Sequence, residues 1–112
     1  GVQTCALPIW LSGLLSGGQQ QMVSIGRSLL SRPRCLIMDE PSIGLAPKLF
    51  QDLMKPIREL QQQTGMSILL VEQNVREALK VSDRVVVMKA GNLIHEAKPD
   101  DLKDNARLME LY

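Results

Sequence analysis

At 112 residues the chain has the length of one small domain, and its 13 Lys+Arg and 12 Asp+Glu are interspersed to a net charge of +1, which leaves no electrostatic footprint for nucleic acid. The only aromatics are Trp10, Phe50 and Tyr112, so base-stacking platforms and aromatic cages are excluded, and the core must come from Leu, Ile, Val and Met. Two cysteines give no disulfide framework, and no apolar stretch approaches the ~18 residues that span a bilayer.

In chain order, the apolar stretch Cys5–Leu15 is interrupted by Pro8, Ser12 and Gly13 and lacks the preceding positive charge and the cleavage pattern of a secretory signal. From Ser16 the pattern becomes regular. Ser16-Gly17-Gly18 leads into Gln19–Leu30, where Met22, Val23, Ile25, Leu29 and Leu30 recur at helical spacing, and Arg32-Pro33 stops the run. Cys35-Leu36-Ile37-Met38 reads as a short strand covered on both faces, with Cys35 a small buried hydrophobe, and Asp39 and Glu40 at its end. Pro47 suits a first helical turn. Leu49, Phe50, Leu53, Met54, Ile57 and Leu60 then mark an amphipathic helix to Gln63, with a kink expected at Pro56.

Thr64-Gly65 ends that helix, and Ser67–Val71 reads as a second buried strand, so that strand, helix and strand form a parallel unit closed by Glu72, Gln73 and Asn74. Asn74 caps a short helix to about Lys80. Arg84–Lys89 and Leu93–Ala97 flank Ala90-Gly91-Asn92 as a β-hairpin, and a polar helical tail is expected over Pro99–Tyr112. Met22, Met38, Met54 and Met88 read as core filling. His95, the lone histidine, has no second metal ligand at useful spacing and reads as a surface residue.

Two constellations carry chemistry. Leu15-Ser16-Gly17-Gly18-Gln19 opens a helix, where unpaired amides and the positive dipole end favour an anion and glycines let a phosphate approach the backbone. Asp39 and Glu40 end a strand, which is where α/β sheets bind ligands. Alternation along the strand aims the two carboxylates differently, so one can hold Mg²⁺ through water while the other accepts a proton from an attacking water.

Together these residues resemble the ABC ATPase superfamily: Leu15–Gln19 match its signature motif, and Leu36–Glu40 the end of its Walker B strand, a likeness running from about Leu14 to Tyr112. The resemblance implies an α/β fold, the C-terminal part of a P-loop NTPase domain with a mainly parallel sheet, helices and a C-terminal β-hairpin. It implies ATP and Mg²⁺ as ligands, a second ATP-binding subunit and transmembrane permease subunits as partners, and a cytoplasmic location peripheral to the inner face of the cell membrane. By the same resemblance Ser16, Gly17, Gly18 and Gln19 contact the γ-phosphate of ATP held by the opposite subunit. Asp39 assists Mg²⁺ coordination through water, and Glu40 is the general base, which Pro41 holds in an extended conformation.

Two positions depart from the family pattern. Ala46 stands where many members carry an aspartate after Ser42-Ile43-Gly44-Leu45, and Gln73 occupies the switch-histidine position, where it can hydrogen-bond but not titrate. Ser42–Pro47 and Val71-Glu72-Gln73-Asn74 resemble the branched-chain amino-acid uptake branch, with urea-type importers as near relatives and a non-hydrolysing ABC-like interaction module as the rival reading. The run Gly-x-x-x-x-Gly-Lys-Ser/Thr is absent from these residues, so the chain alone is expected to be inactive and aggregation-prone, one side of its sheet being uncovered. Residues 1–9 resemble nothing in the family and look like a translated sequencing adapter, which leaves 10–112 as the C-terminal part of the ATP-binding domain.

Overall fold

The computed structural model describes residues 14–103, so the opening segment and most of the predicted C-terminal tail lie outside the described residues. The chain divides into two compact units, one ending at Val71 and the other beginning at Glu72, and each is taken by itself.

In the first unit, helix α1 (Gly17–Leu29) begins where Ser16, extended at φ −60° and ψ 157°, takes the N-cap position. A capping box forms there: the Gln19 amide donates to Ser16 Oγ at 3.3 Å, and the Ser16 amide donates to Gln19 Oε1 at 3.0 Å. Strand β1 (Cys35–Asp39) follows, then helix α2 (Pro47–Thr64), then strand β2 (Ser67–Val71). Pro47 sits at the first helical position, where its missing N–H costs nothing, and Gly65 closes the helix at φ +70°. The helix runs through Pro56 as one element. That residue lies on the solvent face, where water can satisfy the carbonyl it leaves unbonded.

The two strands pair in parallel from Cys35↔Ser67 to Asp39↔Val71, with α2 as the crossover that parallel pairing requires. Phe50, Leu53, Met54 and Ile57 are the buried stripe of α2, and with Leu36, Met38, Met66 and Ile25 they make up the buried hydrophobes among the unit's described residues. A side chain of this kind contributes about 1.5–3 kcal/mol when fully buried.

The sheet departs from expectation on its other face. Burial alternates along β1, so Leu36 and Met38 are buried while Cys35, Ile37 and Asp39 are exposed, and Cys35 is an exposed free thiol. Along β2, Ser67, Leu69 and Val71 are exposed in register with them. One covered face is what a single layer of helix can supply, and Ile37 and Leu69 remain 67% and 55% exposed.

In the second unit, helix α3 (Val75–Val81) is capped by Asn74, which accepts from the Glu77 amide. It buries Leu79 and the stem of Glu77, whose carboxylate meets Lys80 at 2.7 Å. A 3₁₀ turn, Pro99–Leu102, buries Leu102 and packs on α3. Lys103 donates to Asp100, and this hydrogen bond, with the lysine's charge, holds the aspartate below its usual range; the pair is solvent-exposed and adds little stability.

Strands β3 (Val85–Lys89) and β4 (Asn92–Ala97) form the predicted hairpin, with an irregularity at Val87/Met88 that leaves Ile94 without a partner in the register. Met88, read as core filling from sequence, is instead 63% exposed, whereas Met38 and Met54 are buried. The hairpin's apolar side chains lie on a two-stranded ribbon, which has too little area to bury them by itself.

The hairpin turn has positive φ at both Ala90 (48°) and Gly91 (79°), the requirement of a type I′ turn. Alanine meets that requirement at a steric cost that asparagine or glycine avoids. Ala90→Asn is therefore expected to stabilise the hairpin by about 0.5–1 kcal/mol, read as a rise in the denaturant midpoint with the slope unchanged; an unchanged or lowered midpoint would show that the turn does not hold this conformation in solution.

Candidate functional site

The capping box uses two of the four amides that a helix N-terminus leaves unpaired, those of Ser16 and Gln19. The amides of Gly17 and Gly18, in the first two helical positions, have no acceptor within the helix. The first turn carries no acidic side chain, and Ser16, Gly17 and Gln19 are exposed. Ser16 and Gln19 thus hold the helix tip in shape, while the two glycines present N–H groups and the positive end of the dipole, a geometry suited to phosphate oxygens.

Asp39 and Glu40 sit at the C-terminal end of β1. The Glu40 amide donates to the Val71 carbonyl at 2.8 Å, carrying the parallel ladder one residue past the strand. Its carbonyl accepts from Ile43 at 3.1 Å, so the chain turns at once. The backbone there is not extended as expected: Glu40 lies at φ +48°, in the left-handed region that costs a non-glycine residue on the order of 1–3 kcal/mol. The ladder bond on one side and the turn on the other over-determine that conformation. Pro41, which is fully buried, anchors the turn into the unit. A second turn follows, in which the Leu45 amide donates to the Ser42 carbonyl at 3.0 Å and Gly44 takes φ +75°.

The helix tip and the strand end open onto one groove of about 510 Å³, whose walls include Gly17, Gln20 and Ser24 of α1 and Met38, Asp39 and Pro41 at the end of β1. Of the residues singled out from sequence, Gly17 and Asp39 line this groove, whereas Ser16, Gly18, Gln19 and Glu40 are not among its walls. Gln73 lies in the second unit, two residues beyond the end of β2; it is exposed, and its carbonyl accepts from the Val75 amide at 2.9 Å.

Sequence reasoning missed Leu45. A side chain added at Gly18 would place its Cβ 2.3 Å from Leu45 Cδ2, so the turn that follows Glu40 rests directly on the helix tip. The only signal in the sequence is the second glycine of the motif, for which phosphate approach is already a sufficient explanation.

The donor set bears on which ligands fit. Asp39 is one exposed carboxylate lining the groove, and Mg²⁺ is commonly held by one or two carboxylates with waters and substrate phosphates completing its shell. No cluster of three or more metal-ligating side chains occurs among the described residues, so a closed, all-protein metal cage is not present there. His95 is exposed on β4. No helix among the described residues is long and apolar enough to cross a membrane.

A capped, glycine-led helix and a parallel strand pair joined by a crossover helix make this unit an α/β fragment. Residues 9–43 match the model of a family described as ABC transporter. It is 41% identical over 101 residues to the high-affinity branched-chain amino acid transport ATP-binding protein BraG of Pseudomonas aeruginosa, a match that covers 90% of this chain and 43% of BraG. It is 46% identical over 88 residues to the Fe(3+) ions import ATP-binding protein FbpC 1 of Rhizobium meliloti, covering 79% of this chain and 25% of that one. The chain thus spans less than half the length of these curated relatives.

Among solved structures, MJ1267, an ATP-binding cassette of an ABC transporter, superposes with a TM-score of 0.79 at 33% identity, over 90% of this chain and 41% of that one. The dimeric structure of MJ0796, a bacterial ABC transporter cassette, gives a TM-score of 0.71 at 30% identity, over 79% and 38% of the two chains.

Proposed function

We propose that the chain carries the signature-to-C-terminal part of the ATP-hydrolysing subunit of an ABC importer, with branched-chain amino acids as the transported class. The observation that carries the reading is the capped, glycine-led tip of α1, exposed and without an acidic side chain in its first turn, in the same unit as a parallel strand that ends at Asp39 with Glu40 following. The importer and substrate class rest on the likeness to BraG and on the Ser42–Pro47 and Val71–Asn74 segments. The iron-import relative shares the ATPase machinery, so hydrolysis and transported cargo are separate parts of the proposal.

In the proposed reaction, Glu40 accepts the proton of the water that attacks the γ-phosphorus, and its fixed backbone sets where that water is held. The Gly17 and Gly18 amides and the Ser16 hydroxyl receive γ-phosphate oxygens of the nucleotide on the opposite subunit, while Gln19 keeps the tip in shape through the capping box. Support for this arrangement in trans comes from the exposure of the tip and from the likeness to a dimeric cassette. Asp39 would hold Mg²⁺ through water, and the bound ion supplies charge neutralisation on the phosphates. Gln73 hydrogen-bonds near the γ-phosphate without changing charge, so the rate should carry no inflection near ~6.5 from this position. The subunit works beneath transmembrane permeases on the inner face of the cell membrane.

Hydrolysis of ATP by the full-length protein carrying these residues, abolished by EDTA and absent in the 112-residue chain alone, is the expected outcome of a phosphate-release assay. No hydrolysis by the full-length protein, with its permeases present, would instead favour a non-hydrolysing interaction module. Stimulation of that hydrolysis by a binding protein loaded with leucine, and not by one loaded with iron or urea, is expected for the substrate class; the reverse preference would remove branched-chain amino acids from the reading.

A further inference from the structure

The parallel ladder of β2 ends at Val71, so the backbone that carries Gln73 needs other bonds to hold it. In the second unit those bonds converge on Asn74. The Val75 amide donates to the Gln73 carbonyl at 2.9 Å, and Asn74 between them lies at φ −78° and ψ 83°, close to the geometry of an inverse γ-turn. Asn74 is also the N-cap of α3: its Oδ1 accepts from the Glu77 amide at 3.5 Å, and its carbonyl accepts from the Ala78 amide at 3.0 Å. A single residue thus closes the reversal that presents Gln73 and fastens that reversal to the helix.

The helix itself has seven residues, too few to persist without tertiary support. That support is present. Leu79 is buried, the Glu77 carboxylate is buried against Lys80 at 2.7 Å, and the 3₁₀ turn that packs on α3 buries Leu102. Resting on the reading of Gln73 above, we infer that Asn74 is a positioning residue that aims the Gln73 amide. Glutamine reaches a fixed point only when the start of its flexible side chain is fixed, because each free rotation beyond the backbone spreads the amide over more space. The turn at Asn74 fixes that start, and α3 fixes the turn. Asn74 Oδ1 is committed to the Glu77 amide, so its part is to hold residue 73 and not to touch the nucleotide.

The test is a set of variants in the full-length ATPase. Asn74→Ala is expected to lower kcat on the order of 10-fold with KM for ATP within about twofold, because a misaimed contact to the transition state slows turnover while ground-state binding is made elsewhere. Asn74→Ser restores a neutral cap acceptor and should recover most of that loss. Asn74→Gly disturbs a helix start less than alanine does, so it should melt near the wild-type temperature and still turn over slowly, since glycine loosens the turn. The deciding comparison is made with Gln73→Ala. That variant alone should be slowed, and adding Asn74→Ala to it should slow it no further, because no amide is left to aim.

A double variant slowed by the product of the two single effects would overturn the proposal, since Asn74 would then support the fold and not residue 73. Wild-type kcat in both Asn74→Ala and Asn74→Gly would overturn it as well. Gln73→Ala separates the two levels. Wild-type turnover in that variant would remove the reading of Gln73 and leave Asn74 nothing to aim, whereas slowed turnover with an additive cycle would remove only the role of Asn74.

Discussion

Glu40→Gln in the full-length protein is expected to lower ATP turnover by about 10²–10⁴-fold, the usual contribution of a positioned general base, while leaving ATP affinity within a few-fold of wild type. The amide keeps the volume of the carboxylate and its capacity to hydrogen-bond, so what is lost is its capacity to take a proton. Backbone geometry adds a second arm to the test. Glu40 lies at φ +48°, and that strain is independent of what its side chain does. Comparing Glu40→Ala with Glu40→Gly removes the carboxylate from both and leaves the backbone as the difference. Glycine is expected to be the more stable of the two by about 1 kcal/mol, with both inactive. Turnover at the wild-type rate in Glu40→Gln, by phosphate release under saturating ATP, would remove Glu40 from the catalytic role. Equal stability of the alanine and glycine variants would show that the backbone relaxes in solution.

That strained residue shows what could and could not be read from the sequence. Helix and strand positions followed from periodicity: the Phe50, Leu53, Met54 and Ile57 stripe placed α2 and its buried face, and Asn74 placed the start of α3. Ser16 and Gln19 could be read as a helix entrance because a capping box is a local device, complete within four residues. Glu40 could not be read correctly in the same way. The rule that a residue before proline is extended is a local preference, and here it is overridden by a ladder bond to Val71 and a turn to Ile43.

Cys35 and Met88 failed for a different reason. Apolar residues in a strand announce that some face is to be covered, but the covering layer belongs to other parts of a structure, and β1 is covered on one face only. The contact of Leu45 with Gly18 was the least legible feature. It joins residues far apart in sequence, and the glycine already had a sufficient explanation in phosphate approach.

Mixing two inactive proteins should regenerate activity. Gly17→Asp is the suitable partner for Glu40→Gln, because nothing lies within 4 Å of a Cβ at position 17 and its backbone is not in the left-handed region. An acidic residue in the first helical turn also favours the helix. The variant should therefore fold as well as wild type while its carboxylate repels phosphate from the tip. If Ser16, Gly17 and Gly18 serve the opposite subunit's nucleotide, a dimer of one Glu40→Gln and one Gly17→Asp chain has one doubly damaged site and one wild-type site. Random exchange of subunits in a two-fold dimer then restores roughly a quarter of wild-type sites, since half the dimers are mixed and half the sites in each are intact. If the tip instead served its own subunit's nucleotide, every site in the mixture would carry one lesion. The mixture would be as inactive as its components, and the groove shared by Gly17 and Asp39 would then have to hold a single nucleotide in cis.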